Sequence, residues 1–181
     1  MQMNWDRKKV PDDWFRAFTH ESGHAVMAAI QSVRCHGVFL RKSPLIATAL
    51  VPPLPEPSQQ TNGDRLFLAA GSAAETIIFG KAYLPGSKED RRIFGNPQGI
   101  TFDKKITEAE PTLLKQKPRI ERLASRLYDM YQDVGGDFSG FRSQLVDNGE
   151  GIITDHWVLL NEDELKEELK GIGKDETAIA E

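Results

Sequence analysis

Residues 17–30 read AFTHESGHAVMAAI, and three ionisable groups, His20, Glu21 and His24, interrupt a run that otherwise has the composition of a buried helix face. Upstream, Pro11 followed by Asp12 and Asp13 is a helix start, with acidic residues in the first turn where the helix dipole favours them. Trp14, Phe15, Phe18, Val26, Met27 and Ile30 then recur at mostly helical spacing, which predicts one helix over about 12–32. On a helix, residues four apart share a face, so the imidazoles of His20 and His24 can converge on one ion. Glu21 projects from an adjacent direction, where a carboxylate can serve the H-E-x-x-H pattern as a base without becoming a ligand. Three polar side chains among Ala25, Val26, Met27, Ala28 and Ala29 are costly to bury unless they are paired, and a divalent cation would pair them. The competing reading is an ordinary helix whose polar residues face solvent. Gly23 inside the helix costs about 1 kcal/mol relative to alanine, which is expected where a neighbouring backbone comes close.

Working outward, HGVFLRKSP (36–44) and IATALVPP (46–53) are β-prone runs around a Ser-Pro break and are expected to pair as strands; FLRKSP reads first as an ordinary strand and second as an edge for an extended peptide. PPLPEPSQQTNG (52–63) is a loop bordering a cleft, because its prolines lack the donor that helix interiors and central strands need. DRLFLAAGSAAETIIFG (64–80) reads as a second helix, closed by Gly80 and rich in small residues suited to close helix packing. KAYLPGSKEDRRIFGNPQG (81–99) is turn-rich with one helical turn. A long helix is expected over much of 107–133, with a break or kink at Pro111 and Pro118. A short helix is expected through FRSQLVDNG (141–149), IITDHWVLL (152–160) is ambiguous between strand and loop, and NEDELKEELKG (161–171) is a helix with Asn161 as N-cap and Glu164 three residues on. The predicted fold class is mainly α, of the α+β type, with a small β-sheet beside the H-E-x-x-H helix. Residues 1–171 are expected to form one domain and 172–181 a flexible tail.

Composition narrows the function classes. With 181 residues, 39% hydrophobic and 28% charged, the chain can bury a core without staples. A formal net charge of −4 gives no nucleic-acid footprint. The single cysteine, Cys35, excludes an internal disulfide and gives no support to a cysteine-based zinc site. No stretch approaches the ~20 apolar residues that span a bilayer, so no membrane segment is expected, and the cytoplasm or another reducing soluble compartment is the expected location. No Walker A pattern occurs. Nothing in the sequence decides for or against a homo-oligomer.

Two histidines leave a catalytic zinc site short of a third protein ligand. No third histidine follows His24 at metzincin spacing. Downstream carboxylates are the candidates, chiefly Glu75 on the second helix and Asp90 in GSKED; Asp90 also fits a capping box with Ser87 and could merely close a short helix. His36 and His156 read as structural.

FTHESGHAV (18–26), LAAGSAAETIIFG (68–80) and LPGSKEDRRIF (84–94), in that order, resemble the peptidase domain of FtsH-type AAA proteases, whose blocks run H-E-A-G-H-A, then G-G-R-A-A-E-x-x-x-F-G, then T-G-A-x-N-D-L. The resemblance spans about residues 12–95, and RIERLASRLYDMY (119–131) is similar, less specifically, to that domain's later helices. It implies a helical zinc metallopeptidase in which His20, His24 and Asp90 hold Zn2+ and Glu21 is the base acting on a zinc-bound water, with Glu75 an orienting or packing residue, or the ligand if Asp90 is not. The chain departs from the family in GSKED and in carrying neither a P-loop nor a membrane span. The expected function is therefore an ATP-independent metalloendopeptidase acting on peptides or unfolded protein segments. The alternative is a catalytically weak or inactive binding or regulatory module.

Overall fold

A computed structural model of the chain describes residues 13–83, 85–95, 99–147 and 153–172. Among the described residues, six helices and four strands follow in the order α1 (Asp13–Ile30), β1 (Gly37–Lys42), β2 (Leu45–Leu50), α2 (Asn62–Phe79), α3 (Lys88–Phe94), α4 (Phe102–Lys115), α5 (Lys117–Asp133), β3 (Ser143–Asp147), β4 (Ile153–Asn161) and α6 (Glu162–Glu168). The architecture is the mainly helical α+β fold expected, with one antiparallel sheet of order β2-β1-β4-β3. The Pro11–Asp12 helix start lies outside the described residues, as does the expected tail apart from Ile172.

Helix α1 is the hub. It packs on α2 and α5 and lies against β1 and β2, while α2 also packs on α4. Phe18, Met27, Leu68, Phe94, Leu113 and Leu127 from five helices meet in one buried cluster with Val38, Leu40 and Leu160 from the sheet. Each such side chain contributes roughly 1.5–3 kcal/mol of apolar transfer. The helix ends follow from local chemistry. Thr61 and Asp64 form a capping box at the start of α2, and Gly80 closes it in the left-handed conformation (φ 79°) that glycine adopts without strain. Asn161 and Glu164 make the same box for α6. The long helix expected over 107–133 is two helices: Pro111 is accommodated inside α4, whereas the break falls at Gln116, with Pro118 in the first turn of α5 where a missing N–H costs nothing.

One expectation is corrected. FRSQLVDNG does not form a short helix: residues 143–147 are strand β3, paired with β4 from Ser143 opposite Trp157 to Asp147 opposite Ile153, and residues 148–149 lie outside the described ones. Backbone pairing with β4 outweighs local preference there. For FLRKSP the edge alternative falls and the ordinary-strand reading holds: β1 lies between β2 and β4, with Val38, Phe39 and Leu40 all buried, as a central strand with two covered faces requires. The edge beside the motif helix is β2, where Ala47 and Ala49 are buried.

The α1–α2 contact is set by small residues. A Cβ on Gly23 would lie 2.6 Å from the Ala70 carbonyl oxygen and 2.6 Å from Ala74 Cβ. Both neighbours belong to a helix buried against α4, so neither can yield alone. Gly23→Ala is therefore expected to destabilise by about 2 kcal/mol, because overpacking outweighs the gain in helix propensity. Urea unfolding measures this, and a variant as stable as the parent would refute the close approach.

Candidate metal centre

The turn of α1 from His20 to His24 brings the two imidazoles together, with Nε2 atoms 3.0 Å apart and ring planes at 68°. Helix α3 supplies the third group: Asp90 Oδ2 lies 2.9 Å from His20 Nε2 and 3.3 Å from His24 Nε2. These three residues are the one group of histidine and carboxylate side chains among the described residues with ligand atoms all within 4.8 Å of one another. Both histidines are buried, which excludes the solvent-facing helix.

The other nitrogen of each ring is already committed. His20 Nδ1 is 2.8 Å from Glu75 Oε1, and His24 Nδ1 is 2.8 Å from the Phe67 carbonyl oxygen. A backbone carbonyl and a carboxylate accept, so each Nδ1–H donates, and each neutral ring then turns the lone pair of Nε2 inward. Two nitrogen lone pairs and a carboxylate oxygen thus face one another at contact distance. Such a ring is repulsive unless a cation sits among its members. Protons can play that part, and the titration behaviour reflects it. Burial pulls the His20 imidazole down, yet its hydrogen bonds to Asp90 and Glu75 prevail and hold it well above the ordinary value. His24 is raised against the same burial by the charge of Asp90. Burial alone would push the Asp90 carboxyl up, but His24 and His20 hold it well below the usual carboxylate range.

A metal ion fits the same ring. Zinc with nitrogen and oxygen ligands at ~2.0–2.1 Å in tetrahedral array has neighbouring donors ~3.3 Å apart, close to the three separations found. Nδ1–H groups donating to a carboxylate and a backbone carbonyl are the usual outer partners of metal-binding histidines.

Glu21 is outside the ring. Its Oε2 accepts from the Ala49 N–H at 2.6 Å, which ties the carboxylate to the edge strand β2, and burial raises its pKa against the opposing pull of His24 and His20. Glu75 is not a member of the ring. It sits almost fully buried on the far side of His20, accepting from His20 Nδ1–H, from Arg16 Nη1 at 3.2 Å and from the Tyr83 N–H at 2.7 Å. Ser87 and Asp90 do not form a capping box, because the Ser87 side chain makes no capping bond to α3. His156 is buried on the sheet beside Phe39 and His36 lies near Glu162, and neither belongs to the group.

Sequence reasoning missed Gly71, Arg16 and the Ala49 N–H. A Cβ on Gly71 would fall 2.3 Å from His20 Nε2, against the His20 imidazole. The run of small residues in AAGSAAE carried a signal of close packing, but not of what packs there. The other two act only through tertiary approach. Comparison of the chain with family models, curated proteins and solved structures found no match.

Three donors converge on Glu75, so an amide there would turn its NH2 towards at least one of them. Glu75→Gln is expected to lower the stability of metal-free protein by about 2 kcal/mol, the scale of a lost charged hydrogen bond. Thermal denaturation after exhaustive chelation measures it, and an unchanged midpoint would place Glu75 outside the support of His20.

Proposed function

We propose that this chain is a zinc-dependent metallopeptidase that works without ATP on peptides and unfolded protein segments. The observation that carries the reading is the convergence of His20 Nε2, His24 Nε2 and Asp90 Oδ2 with both Nδ1 atoms already occupied. The H-E-x-x-H order on α1 and the resemblance of the three sequence blocks to FtsH-type peptidase domains point the same way.

In this reading His20, His24 and Asp90 hold zinc, two neutral imidazoles and one carboxylate leaving a net charge of +1. Zinc supplies Lewis acidity, bringing the pKa of water at the site to about 7 and polarising a carbonyl. Glu21 moves the proton. Its Oε2 is held by the Ala49 N–H, which leaves Oε1 to take a proton from the attacking water and return it to the departing amine. A carboxylate raised by burial is closer to the working pH of such an exchange than an exposed one. Glu75 fixes the His20 ring from behind, and Arg16, lying over the Phe79 ring, fixes Glu75.

The same geometry supports an extended substrate. Because the Ala49 N–H points away from β1 towards Glu21, the alternation of a strand turns the N–H and C=O of Ala47 to the same outer edge. A peptide laid along β2 would pair with that edge beside the base, by the backbone logic of strand addition. No P-loop pattern occurs in the 181 residues, so unfolding by an in-chain motor is not part of the proposal.

Glu21→Gln keeps shape while removing the base. It is expected to retain one zinc per chain and lose hydrolysis of casein and short peptides by at least ~100-fold. Zinc should fall away in His24→Ala. If zinc-loaded parent protein cleaves nothing in a diverse peptide library, the chain is a metal-binding module of regulatory type instead.

Ala47→Pro separates substrate docking from chemistry. Proline is tolerated on an edge strand where the N–H faces outward, so the ladder to β1 survives. The variant is expected to raise KM about tenfold with kcat little changed, the loss of one backbone hydrogen bond to substrate. A variant with parental KM would remove β2 from substrate binding.

A further inference from the structure

The C-terminal half of α1 and the short helix α6 do not close on each other. Between them lies a cavity of about 370 Å³, walled by Ala25, Ala29, Val33, Cys35, Leu165 and Leu169. That volume is at the small end of the ~300–1,000 Å³ range of small-molecule sites. The walls are mostly aliphatic, with Ser32 and Cys35 the polar exceptions below the charged rim. Burial pushes that thiol up to about 11 and its S–H is turned to the Gly37 carbonyl, so it is a neutral wall rather than a nucleophile.

The rim is charged, and unevenly. Glu162 is gripped by Arg34 through Nε and Nη2 at 2.8–3.1 Å and by Lys166 Nζ at 2.8 Å. Two cations share one carboxylate, which leaves the mouth with one positive charge in excess. Neither cation is exhausted: the Arg34 fork has five N–H groups and the Lys166 ammonium three. Both side chains are mostly exposed, so they can re-aim towards a ligand without being pulled from the core.

We propose that this cavity binds a small amphiphile with an apolar body and a single carboxylate, the body against Ala29, Val33 and Leu169 and the carboxylate on Arg34 and Lys166. The apolar walls reject a polar body, which would lose hydration without regaining partners. The excess positive charge rejects an ammonium head, because Glu162 is already neutralised. None of the lining residues belongs to the His20–His24–Asp90 centre or to Glu21, so this site stands whether or not the chain is a peptidase.

Octanoate, with ten non-hydrogen atoms, is the probe, titrated into the full chain with calorimetry and amide NMR. The expected result is saturable binding at one site, amide shifts at Ala29, Val33 and Leu169, and at least tenfold weaker binding of octylamine, a difference of about 1.4 kcal/mol. Ala29→Leu fills the cavity and is expected to weaken octanoate at least tenfold. Lys166→Glu, a surface change that leaves the core untouched, should weaken it about fivefold or more even if Ala29→Leu fails to fold. Zinc-free protein and Glu21→Gln should bind octanoate as the parent does. Absence of saturable binding at millimolar octanoate, equal affinity for octylamine, or binding indifferent to Lys166→Glu would overturn the proposal.

Discussion

An imidazole ring fits between two closely packed helices only where one of them has no side chain, and the centre of this protein depends on that constraint at Gly71. On α2, Phe67, Gly71 and Glu75 recur every fourth residue and so lie on one face. The Phe67 carbonyl takes the Nδ1–H of His24, Gly71 leaves space for the His20 ring, and Glu75 takes the Nδ1–H of His20. Gly23 on α1 meets Ala70 and Ala74 beside them. Small residues on both helices thus set an interaxial distance at which two histidines can be held by a facing helix rather than by a loop. A ring so clamped has lost its rotamer freedom before any ligand arrives, which is the condition for a tight and selective centre.

Clamping has an electrostatic consequence. With both Nδ1–H groups donating outward, the inward-facing atoms are all acceptors, and Asp90 adds a negative charge to them. The fold therefore builds in a demand for positive charge at one point. Protons meet it when nothing else does, which is why the histidines are raised and the aspartate lowered together. A divalent ion would meet it with the imidazoles neutral, displacing those protons, so metal uptake and proton release are two sides of one equilibrium.

What could be read from the sequence follows the range of the interaction involved. Helices α1, α2 and α6 were legible because periodicity and capping residues are local, and the β1–β2 pair because two β-prone runs flank a break. Strand β3 was not. Of its five residues only Val146 is buried, and Leu145 is largely exposed, so no alternating pattern marks it; its pairing with β4 spans an intervening segment whose contribution a local pattern cannot show. His20, His24 and Glu21 could be picked out from spacing alone. Asp90 could not be separated from Glu75 in that way, because both are carboxylates on helices at unknown distance; the resemblance of the sequence blocks favoured Asp90, and it is Asp90 that lies against the two Nε2 atoms. The bond from Ala49 to Glu21 is backbone chemistry and leaves no trace in residue identity.

The third member of the ring rests on the least independent element. Helix α3 has seven residues, too few to be stable alone, so Asp90 is only as well placed as the contacts that hold α3. Phe94 is buried with its ring edge-on to Phe102, Arg91 lies over that same ring and pairs with Asp103, and Gln60 donates to the Ile93 carbonyl. Gln60 also donates to Pro55, and Pro57 sits where a Cβ on Gly95 would be, so the proline-rich loop is fastened across the end of α3. That loop begins where β2 ends. Since β2 holds Glu21 and α3 holds Asp90, one stiff segment connects the strand that anchors the carboxylate beside the ring to the helix that completes the ring. Its prolines reduce the freedom lost on ordering, and the histidines, fixed by α1 and α2, need no help from it. Asp90 is therefore held from two sides, by the loop through Gln60 and by Phe102 and Asp103 of α4 through Phe94 and Arg91, whereas His20 and His24 depend on neither.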